Sequence, residues 1–97
     1  MELDIHSYCE DAIILTGLDE AIIGVVETFG GGRRLLYDKN KILQILMDAN
    51  PMTMEEAEEY YDFNILGGHF GDLNPVFLDR KLTPFINEDK IIKFKVY

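Results

Sequence analysis

The chain has 97 residues, 47% of them apolar, and eighteen acids against nine bases give it a net charge of −9. That length holds one hydrophobic core, and the apolar share excludes a disordered chain. The charge excludes direct nucleic-acid binding over most of the surface, because two polyanions repel. No apolar run comes near the roughly 20 residues that cross a bilayer, so no membrane association is expected. Met1 is followed by Glu2 and Asp4, the wrong charge for a leader, and the single Cys9 cannot close an internal disulfide. One cytoplasmic domain spanning residues 1–97 is expected.

The charge is uneven. Residues 1–32 hold seven acids and no Lys or Arg, and residues 42–79 hold eight acids and no bases. Residues 33–41 and 80–97 carry the bases.

In chain order, "EDAIILTG" (10–17) reads as a buried strand. In "LDEAIIGVVETFG" (18–30), Leu18, Ala21, Ile22, Val25 and Phe29 recur at helical spacing, which predicts a helix capped by Thr16 or Asp19 and ended by Gly30. "GGG" (30–32) turns the chain into a strand, "RRLLY" (33–37). Asp38 caps a second helix (39–49), with Ile42, Leu43, Ile45, Leu46 and Ala49 on its apolar stripe, and Asn50-Pro51 ends it. Thr53 and Glu56 form a capping box that opens a third helix, which runs to about Leu66 and stops at Gly67-Gly68. A glycine-rich loop (67–74) and a strand, "PVFLD" (75–79), follow. "LTPFI" (82–86) and the alternating "KIIKFKVY" (90–97) read as a C-terminal hairpin. The expected fold is α+β: a small two-layer domain with three helices packed on a short mixed sheet.

The stretch "MTMEEAEEYYDFN" (52–64) raises the main functional question. Glu55, Glu58, Glu59 and Asp62 fall largely on one side of the third helix, at spacings where like charges repel by a few tenths of a kcal/mol per pair. No base lies within that helix to relieve them. Their readings rank as a solvated face or one paired with the chain's own Lys90, Lys93 and Lys95, then a docking face for a basic protein, then a metal site. Metal ranks last because His6 and His69 have no ligand spacing to another His or Cys and no calcium-loop pattern exists. No metal or cofactor is expected.

Cys9 and His6 make a weak nucleophile pair, since residues three apart on a strand face opposite ways. Cys9 reads more simply as a small buried thiol. "GGGRR" has the reverse element order of a phosphate loop. Asn64, His69 and Asp72 gather around the glycine loop, either as a pocket with an oriented His–Asp pair or as a tight turn with His69 in solvent. Nothing in the chain requires enzyme chemistry.

"LDEAIIGVVETFG", "LLYDKNKILQILM", "MTMEEAEEYYDFNILGGHFG" and "PVF" together resemble a family of small, mostly uncharacterised proteins of tailed phages that share an MT…EEA…EY…FN helix. The resemblance covers residues 18–77, and the basic extension 78–97 lies outside it. It implies a phage origin and the cytoplasm of a host cell. The resulting expectation is a phage-encoded, non-enzymatic accessory protein that binds a basic host or viral protein, in its sharpest form a nucleic-acid mimic that inhibits a host defence nuclease. A small-molecule or nucleotide sequestering protein and a self-associating structural protein, a homodimer through the tail strand, are the alternatives.

Overall fold

The computed structural model describes residues 11–82, 84 and 86–96. His6 and Cys9, the weak nucleophile pair, lie outside the described residues.

Two seven-residue strands, β1 (Ile22–Thr28) and β2 (Gly32–Asp38), form an antiparallel hairpin, and β3 (Val76–Leu78) joins β2 in parallel to give the order β1-β2-β3. Two helices follow β2: α1 (Lys39–Ala49) and α2 (Met54–Tyr60), the latter continuing as a π-helical segment, Tyr61–Leu66. The fold is therefore α+β with a three-stranded mixed sheet and two helices.

This corrects the sequence reading in three places. The expected helix over 18–30 is a 3-10 turn, Asp19–Ala21, followed by β1. Its helical spacing coexists with Ile22, Ile23, Val25, Val26 and Thr28, all β-branched, and these win because the next apolar segment can pair with them. Gly30 and Gly32, at φ of 70° and 77°, make the hairpin turn, and Phe29 stands fully exposed at its tip instead of in the core. Gly24 lies beside a β-bulge between Ile22 and Gly24. The second correction concerns residues 11–17, which carry no strand. Ala12, Ile14 and Leu15 pack half-buried against the core without a sheet partner, and the Leu15 N–H donates to the Tyr37 hydroxyl at 2.8 Å. The third is the C-terminal hairpin: residues 91–96 are exposed and carry no strand, and the element before them is a 3-10 turn, Glu88–Lys90.

Leu35 and Tyr37 on β2, Ile42 and Leu43 on α1, and Ala57 and Tyr61 on α2 and its continuation form the core, closed by Leu18, Ala21 and Ile65. The Tyr61 ring meets Phe77 edge-on at 5.6 Å, and Tyr37 lies 6.0 Å from the same ring. Two ion pairs clasp the start of α1 to the chain after β3: Arg80 with Asp38 at 2.8 Å and Lys39 with Asp79 at 3.2 Å. Asp38 also caps α1 by accepting from the Asn40 N–H.

The capping box at the start of α2 is present. The Glu56 N–H donates to the Thr53 hydroxyl at 3.2 Å, and the Thr53 N–H donates to the Glu56 carboxylate at 3.0 Å. Those bonds from the Thr53 backbone and then its side chain hold the Glu56 carboxyl below its ordinary value. Their contribution is present above the unfolded carboxyl value and is lost as pH falls through the lowered folded one. Thr53→Ala removes the cap and is expected to cost about 1 kcal/mol, seen as a lower urea midpoint at neutral pH. An unchanged midpoint would show that the cap contributes nothing.

Candidate functional site

α2 and its π-helical continuation bury a narrow stripe. Ala57, Tyr61 and Ile65 are buried, whereas Tyr60, at the end of α2, and Asn64, in the π-helical segment, are exposed, although regular helical spacing places all five on one face. Gly67 ends the segment with its N–H on the Asp62 carbonyl, and a Cβ at Gly67 would stand 2.8 Å from that same oxygen. The helix end is thus closed by a residue that must lack a side chain.

Glu55, Glu59 and Asp62 are exposed and Glu58 is half-buried. Among the described residues, none of the four forms an ion pair; the bridges include Arg33–Glu27, Lys39–Asp79, Lys41–Glu20 and Arg80–Asp38. Self-pairing with Lys90, Lys93 or Lys95 is therefore not how this copy satisfies them. The structure adds what the sequence reading missed: this acidic helix also presents exposed apolar side chains, Met54, Tyr60, Phe63 and Leu66.

Two grooves border the helix and meet at Tyr60 and Asn64, which line both. The first, about 420 Å³, is walled by apolar side chains that include Ile14, Leu46 and Phe70. The second, about 350 Å³, adds Phe63 and carries Glu56 and Glu59. The surface is thus an apolar, aromatic-lined channel with a carboxylate rim.

The second group of expected residues is arranged differently. The Asn64 side chain donates back to the Tyr60 carbonyl at 3.2 Å, within its own helix. His69 and Asp72 are exposed on the loop and line neither groove. The residue that fastens the loop is Asn74, which accepts from the Phe70 N–H and donates to the Gly68 carbonyl, both at 2.8 Å. Its signal was the Asn-Pro pair that starts β3, since Asn side chains bond nearby backbone in turns.

Burial raises the Tyr61 hydroxyl to about 12, with the charges of Asp62 and Asp79 adding to the effect. Lys39 stands 5.2 Å from the centre of the same ring. Asp79 itself is pushed up by burial but held below its ordinary value on balance, by the bond from Lys39, the amides of Leu82 and Lys81, and the Lys39 charge. A raised tyrosine favours the neutral form in the fold, so its contribution is complete below the unfolded value of 10.0 and is lost as pH rises through about 12. Alkaline unfolding is expected in that window, with Tyr61→Phe shifting its onset upward when followed by circular dichroism. An unshifted onset would remove Tyr61 from the cause.

Among the described residues no cluster of three or more His, Cys, Asp or Glu could hold a metal ion, and no helix is long and apolar enough to cross a membrane. No family model matches the chain, and no curated protein or solved structure is found similar to it.

Proposed function

We propose that the protein is a non-enzymatic binding module whose α2 face takes a basic protein partner. The observation that carries this reading is that, among the described residues, Glu55, Glu58, Glu59 and Asp62 form no ion pair and stand beside exposed aromatic side chains. Solubility alone does not call for acids beside Tyr60 and Phe63. A docking face does, because aromatic anchors supply affinity while surrounding charge steers the encounter and selects the partner.

With the phage setting that the family resemblance implies, the partner is a host or viral protein with a basic surface. The sharper form of the proposal is a nucleic-acid mimic that occupies the cleft of a host defence nuclease. Affinity capture from host lysate at two salt concentrations tests the proposal. A basic protein held at low salt and released at high salt is the expected result, since exposed charges are screened within about 8–10 Å at physiological salt. An empty resin at low salt contradicts it.

The apolar groove supports a second reading, as a small-molecule sequestering protein, because its volume of about 420 Å³ lies within the range of ligand pockets. A thermal-shift screen separates the two, since a sequestered compound raises the melting temperature without any protein partner.

A further inference from the structure

β1 is an open edge of the sheet. In the order β1-β2-β3 it bonds β2 on one side, and among the described residues no strand pairs with its other side. Its sequence, "IIGVVET", lacks most of the devices that blunt an edge. It has no proline and no lysine, and its one charge, Glu27, lies 3.5 Å from Arg33 on β2. A bulge interrupts only its first residues, and residues 24–28 pair with β2 in unbroken register. Val25 lies opposite buried Leu35, hence on the core face, yet is 42% exposed, and Ile23 is 41% exposed.

The two ends of this edge complement each other. Phe29 follows β1 directly and stands fully exposed at the hairpin tip. Asp19 and Glu20, in the 3-10 turn that runs into β1, wall a cavity of about 440 Å³ together with Ile45, Asp48 and Ala49 of α1. Ring and cavity thus stand at opposite ends of one strand, about 24 Å apart. Antiparallel pairing of β1 with itself, centred on its midpoint Val25, brings Phe29 of each copy opposite Ala21 of the other, at the end of β1 that the cavity adjoins. The carboxylates around that cavity suit the edge of a phenyl ring, which carries partial positive charge.

We propose that β1 is a dimerisation edge: the β1 strands of two copies pair antiparallel about Val25, and each Phe29 enters the cavity beside the other copy's 3-10 turn. A second copy is the occupant because the edge is self-complementary, its ring and its cavity being exchanged by the same two-fold that pairs the strands. The paired strands, the two rings and the cavity walls they cover bury on the order of 1,200 Å² in total, the lower end of the range for a stable interface. The two-fold of such a pair is perpendicular to the sheet. A continuous six-stranded sheet results, with both helical layers on one side, so the dimer presents two α2 faces together. The edge shares no residue with the grooves beside α2, and the inference stands independently of the docking reading.

Light scattering behind size exclusion over a dilution series, with the full chain, tests this. Wild type is expected at twice the 11.2 kDa chain mass. Val25→Lys and Val25→Glu each set like charges directly opposite one another at the two-fold, and each is expected to weaken dimerisation at least tenfold. Mixed in equal amounts, they set a lysine opposite a glutamate and are expected to restore a dimer peak absent from either alone. Phe29→Asp removes the ring and is expected to weaken dimerisation at least tenfold as well. Both positions are exposed, and circular dichroism checks that each variant stays folded. A wild type that is monomeric at every concentration, a dimer that survives Val25→Lys or Phe29→Asp, or a mixture of the two Val25 variants that stays monomeric overturns the proposal. Two copies of charge −9 repel less as salt rises, so the dimer is expected to persist at the high salt that releases a basic partner. The Val25→Lys variant keeps its α2 face and should still capture that partner, so failure of the dimer and failure of the docking face are read separately.

Discussion

Reversing Glu55, Glu58, Glu59 and Asp62 together to lysine is expected to weaken binding of the basic partner by a hundredfold or more. An exposed ion pair contributes about 0.2–1 kcal/mol, and reversal replaces that attraction with a repulsion of similar size. Four such changes amount to roughly 3–6 kcal/mol, and each 1.4 kcal/mol is tenfold in affinity. The fold should survive. Like charges still face one another at the same spacings, so the local repulsion keeps its size. Only the lysine at position 55, in the first turn, opposes the helix dipole, at a cost of about 0.3–1 kcal/mol. Titration calorimetry on the recovered partner gives the affinity, and the melting temperature reports the fold. A loss smaller than threefold with an intact fold would mean that the acids are surface only.

Tyr61→Ala is expected to destabilise the domain by about 3–5 kcal/mol, the range for removing a buried aromatic ring. Tyr61 is 1% exposed, packs edge-on against Phe77 and lies beside Lys39. With Ala57 and Ile65 it holds α2 and its continuation in the core. Small domains have about 5–15 kcal/mol in all, and the variant should be partly unfolded at 37 °C. Urea unfolding measures the change. Tyr61→Phe keeps the ring and should stay within about 1 kcal/mol of wild type, an isosteric change in a packed core. A Tyr61→Ala loss below 1 kcal/mol would show that the ring is not what joins the two layers.

Local chemistry was the legible part of the sequence. Thr53 with Glu56, Asp38 before α1 and Asn50-Pro51 after it mark their helix ends correctly because each satisfies or interrupts specific backbone groups. Residues 18–30 were misread because a helical recurrence of apolar residues and a run of β-branched residues occupy the same positions. Only the partner strand β2, which periodicity cannot see, decides between them. The tail's alternation is real, but alternation alone does not make a strand, and residues 91–96 stand exposed outside the sheet. At the candidate site, the four acids were visible by type and spacing. The grooves beside them were not, because their walls come in part from Ile14, Leu46 and Phe70, which spacing within the helix cannot bring to it.

The most direct test of the docking face is capture from host lysate on two resins in parallel, one bearing wild type and one bearing the four-lysine variant, at low salt. The expected result is a basic protein on the wild-type resin alone. The same protein on both resins, or none on either, would contradict the account.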